Sequence, residues 1–196
     1  METTTSTLVL ASSSHYRKEL LERLCLPFVV AIPRIDESPL PGEAPATLTL
    51  RLAETKARAV AAAHPGSLII GSDQVAACAG NAIGKPRDRS HALEMLRAMR
   101  GRTIVFHTAV ALLNTSNGRL QTALVDVAST FRTLDDAALE SYIDRDNSLD
   151  CAGAVRIETL GIALFTRVAS DDPSALIGLP LIKLTDMLLA EGMTVL

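Results

Sequence analysis

Two basic side chains fall on faces of predicted helices that should be apolar. Lys56 lies in the middle of the apolar side of a helix predicted over residues 46–64. Arg17 lies within the leucine stripe of a helix predicted over residues 15–24. A cation on such a face is costly unless it contacts an anion or its stem carries the charge out to water. Arg17 also opposes the dipole of its first helical turn, so a bound anion would explain its position.

The turn that precedes Arg17 has the composition of a phosphate site. A strand predicted over residues 7–11 is followed by three serines at positions 12–14 and then by the start of a helix. Free N–H groups at a helix N-terminus, together with nearby hydroxyl groups, bind phosphate, and the helix dipole favours its charge. The alternative is a serine-rich helix cap beside a surface arginine.

Two carboxylates and a third cation extend this pattern. Asp73 is predicted just past the end of a short apolar strand at residues 68–71, where ligands collect in open α/β sheets. Glu37 lies in a proline-rich loop, and Lys85 lies in a Gly-Lys-Pro tripeptide. Mg²⁺ takes one or two protein carboxylates plus substrate phosphates, and three cations suit a triphosphate. Taken singly, these residues also fit an ordinary turn, a solvated acidic loop and a common tripeptide.

A mixed α/β fold is predicted to position these residues. The dipeptide Asn117-Gly118 is typical of a hairpin between two long strands. In the rest of the chain, segments with the hydrophobic period of a helix alternate with segments that have the pattern of a strand. Helices are predicted over residues 15–24, 46–64, 90–100, 134–145 and 181–191, and strands over residues 7–11, 28–32, 68–71, 102–113, 120–131 and 161–168. No repeat or linker divides the chain, so residues 1–196 are predicted to form one domain.

Composition restricts the classes of function. A formal net charge of −3 gives no electrostatic footprint for a nucleic acid polymer or a membrane surface. The three cysteines lack zinc spacing and indicate a reducing compartment. The apolar run at residues 8–10 is too short for a signal peptide or a membrane span, so we expect a cytoplasmic protein. Walker A, GxGxxG and GxSxG motifs are missing, which leaves ATPase, dehydrogenase and serine hydrolase readings without support.

The sequence resembles the Maf-like nucleoside triphosphate pyrophosphatases along almost the whole chain. No single motif is decisive, but the ordered series is highly specific. The matching segments are LVLASSSHYRKELL at residues 8–21, IDE at 35–37, LAETKA at 52–57, IGSDQV at 70–75, GKP at 84–86, CAG at 151–153 and GLP at 178–180. The resemblance implies a Maf/ITPase-like, elongated, two-lobed fold with a twisted mixed sheet, a central nucleotide cleft and assembly as a homodimer.

The resemblance also implies an activity and roles for individual residues. The family hydrolyses the α–β phosphoanhydride of nucleotides with a divalent metal cation, for which Mg²⁺ or Mn²⁺ is expected here. Asp73 would accept the proton of the attacking water, and Glu37 and Asp73 would hold the metal. The residues implied to bind the substrate phosphates are Ser12, Ser14, Arg17, Lys56 and Lys85.

Three residues resemble the subfamily that acts on 7-methyl-GTP. Tyr16 replaces an arginine of the commonest opening motif, Gln74 stands where pyrimidine-hydrolysing members usually have Thr, and Glu158 lies in a late loop. N7-methylation makes guanine cationic, so Tyr16 would stack on the base. Glu158 would accept hydrogen bonds from its N1–H and N2–H groups. The alternatives are a dTTP/UTP pyrophosphatase and a nucleotide-binding regulator of cell division without significant turnover.

Overall fold

The computed structural model describes residues 7–146 and 148–196 and contains one mixed sheet with helices packed against it. Within these residues the helices are α1 (His15–Glu22), α2 (Pro45–Ala61), α3 (Arg89–Met99), α4 (Asp136–Arg145) and α5 (Leu181–Ala190). The strands are β1 (Thr7–Ala11), β2 (Phe28–Val30), β3 (Ser67–Cys78), β4 (Asn81–Ile83), β5 (Thr103–Asn114), β6 (Leu120–Phe131) and β7 (Phe165–Ala169). Short 3-10 helices span Ala152–Ala154, Leu160–Leu164 and Pro173–Ile177.

The strands follow the order β2-β1-β3-β5-β6-β7, and β4 pairs with β3. β1 is parallel to β2 and β3, whereas the other pairings are antiparallel. The predicted α/β class and mixed sheet are therefore confirmed. The elongated two-lobed shape and the single-domain organisation stay predictions.

β3 has an incomplete edge that determines where the site lies. β5 pairs with β3 continuously from Leu68 to Ala77, so β1 and β4 must both lie on the opposite edge. There, β1 pairs with Ser67–Gly71 and β4 with Ala76–Cys78. On that edge, and in the part of the chain that the structure describes, no strand pairs with the intervening residues 72–75. This gap in the sheet carries Asp73.

The prediction that Asp73 follows the end of its strand was wrong. β3 extends to Cys78, and Asp73 is paired with Ala109 of β5 in the middle of the strand. The polar run at residues 72–74 interrupts the apolar pattern because these side chains make polar contacts with segments outside the sheet. The strand that does end beside them is β1, which stops opposite Gly71.

The other predicted elements are present with small differences at their ends. α1 ends at Glu22 instead of residue 24, and the short strand β4 was not predicted. The strand predicted over residues 161–168 was wrong in its first half, where a 3-10 helix spans Leu160–Leu164 before β7 begins. Among residues 7–146 and 148–196, no helix has both the length and the apolar composition required to cross a bilayer.

α2 packs against β3 at a close contact that only glycine permits. A Cβ atom at Gly71 would lie 2.0 Å from the carbonyl oxygen of Ala53 and 2.8 Å from the amide nitrogen of Ala57. Both atoms belong to the backbone of α2, which a side-chain rotation cannot move. The absence of a side chain at Gly71 therefore sets the distance between α2, which carries Lys56, and β3, which carries Asp73.

Gly71→Ala is expected to lower the free energy of unfolding by about 1–3 kcal/mol, because α2 must retreat from the sheet. Activity should also fall, by more than the smaller fraction of folded protein explains, because the same movement separates Lys56 from Asp73. Urea denaturation measures the first effect. Gly84→Ala is the control, because a Cβ there meets no atom within 4 Å. Equal stability of the two variants would contradict the close contact.

Candidate active site

A cavity of about 480 Å³ lies beside the gap in β3. It is lined by the turn after β1, by α2, by the segment after β4 and by residues of the 150–158 region. The predicted site residues that line it are Ser14, Tyr16, Arg17, Glu37, Lys56, Asp73, Gln74, Lys85 and Glu158. The exception is Ser12, which is buried and whose hydroxyl oxygen accepts a hydrogen bond from the N–H of Ser14 at 3.1 Å.

Lys56 joins two carboxylates that line this cavity. The residue is 5% exposed. Its Nζ lies 2.6 Å from Asp73 Oδ1 and 3.1 Å from Glu37 Oε1. Snorkelling to water therefore does not explain this lysine, whereas contact with two anions does. Asp73 is itself 6% exposed, so the pair forms a buried ionic contact.

Arg17 is the second cation that faces Asp73. Its Nε donates a hydrogen bond to the carbonyl oxygen of Gly178 at 2.9 Å, and a terminal guanidinium nitrogen lies 4.0 Å from Asp73 Oδ1. Burial lowers the pKa of Arg17 and outweighs the opposite effect of the Asp73 and Glu37 charges. With 14% of its side chain exposed, Arg17 is not the surface arginine of the alternative explanation.

The serine-rich turn combines a helix cap with a wall of the cavity. The Ser14 hydroxyl oxygen accepts a hydrogen bond from the N–H of Arg17 at 3.4 Å and thereby caps α1. Ser13, Ser14 and His15 line the cavity. The cap and the phosphate site are therefore compatible, and phosphate binding by Ser12 and Ser14 stays a prediction.

Gln74 is held by the 3-10 helix Pro173–Ile177. Its Nε2 lies within hydrogen-bond distance of the carbonyl oxygens of Ala175 (2.9 Å) and Leu176 (3.0 Å) and of Thr108 Oγ1 (3.0 Å). Because the backbone oxygens can only accept, the amide nitrogen must face them. The amide nitrogen has two N–H donors, and these partners use both of them. Gln74 can therefore offer a ligand only its carbonyl oxygen.

Tyr16 and Glu158 are linked by a residue that the sequence analysis did not single out. The guanidinium carbon of Arg156 lies 5.3 Å from the centre of the Tyr16 ring, and its Nε lies 3.7 Å from Glu158 Oε1. The Arg156 Nε is buried, and among the described residues it has no hydrogen-bond partner. In the sequence, the only indication of a role for Arg156 was its position two residues before Glu158. That spacing could not show that Arg156 lies over Tyr16.

Cys151 lines the cavity, and the sequence analysis gave it no role although it begins a matching motif. Its Sγ lies 4.0 Å from the hydroxyl oxygen of Tyr16 and 3.4 Å from Asp150 Oδ1. Burial, with a smaller contribution from the Asp150 charge, raises the pKa of the Cys151 thiol to about 12. Burial also raises the pKa of Tyr16. Both side chains are therefore neutral at physiological pH.

Iodoacetamide at about pH 8 is expected to label Cys25 and to leave Cys151 unlabelled, because the thiolate is the reactive species. Cys25 is exposed, whereas the raised pKa keeps Cys151 protonated. Peptide mass spectrometry compares the two rates, and labelling in denaturant serves as the control in which both thiols react. Equal labelling rates in the folded protein would contradict the raised pKa.

The residues present fit a metal that takes most of its ligands from the substrate. Glu37 and Asp73 converge, since both contact the same ammonium group. Within residues 7–146 and 148–196, no group of three or more His, Cys, Asp and Glu side chains is arranged to hold a metal ion. Mg²⁺ and Mn²⁺ sites that use one or two carboxylates together with phosphate and water oxygens match such a donor set.

Comparison with known proteins gives a consistent result. A family model described as Maf-like protein matches residues 7–191. Three similar proteins carry the name 7-methyl-GTP pyrophosphatase. Those from Cupriavidus metallidurans and Ralstonia nicotianae are each 54% identical, over 94% and 92% of this chain and 93% of their own lengths. The protein from Thiobacillus denitrificans is 50% identical over 100% of this chain and 98% of its own length.

Proposed function

This chain belongs to the Maf-like protein family, and from that premise we propose that it hydrolyses the α–β phosphoanhydride of 7-methyl-GTP to 7-methyl-GMP and diphosphate. The observation that carries the proposal is one cavity lined by two chemically different groups of side chains. Lys56, Asp73 and Arg17 form a buried charged cluster. Tyr16 and Glu158 form the second group and are linked by Arg156.

The charged cluster suits a triphosphate. Arg17, Lys56 and Lys85 line the cavity, and the first two are largely shielded from water. Cations in a shielded site stabilise phosphate charge more strongly than they would in bulk solvent. As the α–β bond breaks, negative charge accumulates on the leaving diphosphate, and these side chains stabilise it there.

Asp73 is the residue placed to activate water. Its Oδ1 contacts Lys56 and faces Arg17, whereas among the described residues no hydrogen bond is made to Oδ2. Oδ2 is thus available to accept a proton from a water molecule as that water attacks phosphorus. Glu37 and Asp73 would hold the divalent cation, which when bound neutralises phosphate charge and orients the substrate.

The group formed by Tyr16 and Glu158 suits a cationic purine. The Tyr16 ring lines the cavity, and a positively charged 7-methylguanine stacked on it would be attracted more strongly than neutral guanine. Glu158 and the carbonyl oxygen of Gln74 both accept hydrogen bonds, and the N1–H and N2–H groups of guanine donate them. The negative charge of Glu158 adds attraction that is specific to the methylated base.

The test is release of diphosphate from 7-methyl-GTP, GTP, dTTP and UTP in the presence of Mg²⁺ or Mn²⁺ and in its absence. We expect metal-dependent turnover with a clear preference for 7-methyl-GTP. A preference for dTTP or UTP would support the proposed reaction but refute 7-methylguanine as the preferred base. Tight nucleotide binding without turnover would instead indicate a regulator. We also infer a homodimer, which light scattering in solution would detect.

A further inference from the structure

The Lys56 ammonium occupies the space that a divalent cation shared by Glu37 and Asp73 would need. Its Nζ lies 2.6 Å from Asp73 Oδ1 and 3.1 Å from Glu37 Oε1, so one positive group already bridges the two carboxylates. A bound Mg²⁺ lies about 2.0–2.1 Å from its ligand oxygens. The ammonium and a metal that bridges the same two oxygens therefore exclude each other.

The charges of the cluster lead to the same conclusion. Lys56 and Arg17 supply two positive charges, and Asp73 and Glu37 supply two negative charges, so the four groups are balanced. A divalent cation added without its own anions would leave an excess of positive charge beside two largely buried cations, which is costly. A triphosphate reverses this balance, because its oxygens attract the two basic side chains and also coordinate the metal.

We propose that Lys56 holds the cation position in the nucleotide-free protein and leaves it only when a triphosphate arrives, so that the metal binds together with the nucleotide. The inference rests on the proposed function, because it takes Glu37 and Asp73 as the metal ligands. Lys56 then has two successive partners: the two carboxylates before substrate binds, and the phosphates afterwards. The binding sites for metal and nucleotide are coupled through the movement of one side chain.

Mn²⁺ binding in the absence of nucleotide, followed by electron paramagnetic resonance, tests this directly and requires no turnover. The wild-type protein is expected to bind Mn²⁺ weakly when alone and more tightly with the α,β-methylene analogue of 7-methyl-GTP, which cannot be cleaved at that bond. Lys56→Met should bind Mn²⁺ without nucleotide at least about tenfold more tightly than the wild type, because a like charge in contact with the site has been removed. The same variant should lose activity.

Lys85→Met is the matched control. Lys85 lines the same cavity and is exposed, and no described carboxylate forms an ion pair with it. Its replacement should leave Mn²⁺ binding in the absence of nucleotide unchanged. Lys56→Gln is a second variant that removes the charge but keeps a hydrogen-bond donor for the buried Asp73, and it should behave as Lys56→Met does. Melting temperatures with and without Mn²⁺ report binding independently of the resonance signal.

Two results would overturn the inference. One is tight Mn²⁺ binding by the wild-type protein that the nucleotide analogue does not strengthen. The other is unchanged Mn²⁺ affinity in both folded Lys56 variants. Failure of the proposed function is a separate observation, namely that the wild-type protein releases no diphosphate from any nucleotide with metal present.

Discussion

An Asp73→Asn protein is expected to lose about 10³-fold in kcat for 7-methyl-GTP. The amide has almost the same shape as the carboxylate but cannot accept the proton of the attacking water, and general bases contribute about 10²–10⁴-fold to rates. The substitution also removes one negative charge from the contact with Lys56, which lies 2.6 Å away. Initial rates of diphosphate release at saturating substrate and metal measure the effect.

Asp150→Asn is the matched control for that experiment. Asp150 also lines the cavity, but its carboxylate lies against the Cys151 thiol and not within the Lys56 cluster. We expect its kcat to stay within about tenfold of the wild-type value, since it takes no part in the proposed proton transfer. If Asp73→Asn retained a tenth or more of the wild-type kcat, Asp73 would not be the proton acceptor.

Glu158→Gln is expected to reduce the preference for 7-methyl-GTP over GTP by about 10–100-fold in kcat/KM. A hydrogen bond to a charged group is worth about 1.5–3 kcal/mol, and this substitution removes the charge while conserving the shape. The loss should affect the methylated nucleotide more, because only its base carries a positive charge. Most of the change should appear in KM, since Glu158 is proposed to contact the base and not the phosphates, where the bond breaks.

Tyr16→Phe is the control for recognition of the base. It preserves the aromatic face and removes only a hydroxyl group, whose described contact with the Cys151 Sγ is 4.0 Å long. The preference for 7-methyl-GTP should therefore persist in Tyr16→Phe and decrease in Tyr16→Leu. An unchanged ratio of kcat/KM values in Glu158→Gln would show that the base lies elsewhere in the cavity.

The sequence alone was sufficient to predict that Lys56 and Arg17 would lie against anionic groups. Helical periodicity placed Lys56 on the apolar face of α2, and the structure places its Nζ between two carboxylates there. Arg17 was identified in the same way, from its position within a leucine stripe. Such inferences succeed because the helical period fixes which residues share a face, and a buried charge requires a partner.

The features that the sequence could not predict depend on pairing between distant segments. The end of β3 was placed too early because Ser72, Asp73 and Gln74 resemble a turn, and only the register with β5 shows that the strand continues. The gap between β1 and β4 on the same edge is likewise a property of three strands at once. Arg156 lies over Tyr16 although 140 positions separate them, and no local pattern encodes that contact.

The bond from Arg17 to the carbonyl oxygen of Gly178 has a consequence for the order in which the protein becomes competent during synthesis. The two residues are 161 positions apart, so a ribosome that has incorporated Arg17 must add 161 further residues before its partner exists. The hydrogen bonds from Gln74 to the carbonyl oxygens of Ala175 and Leu176 likewise form only after those residues have been made. A nascent chain that already contains Lys56 and Asp73 therefore still lacks the later segment that holds Arg17 and Gln74, and the complete pocket forms only after that segment has been made.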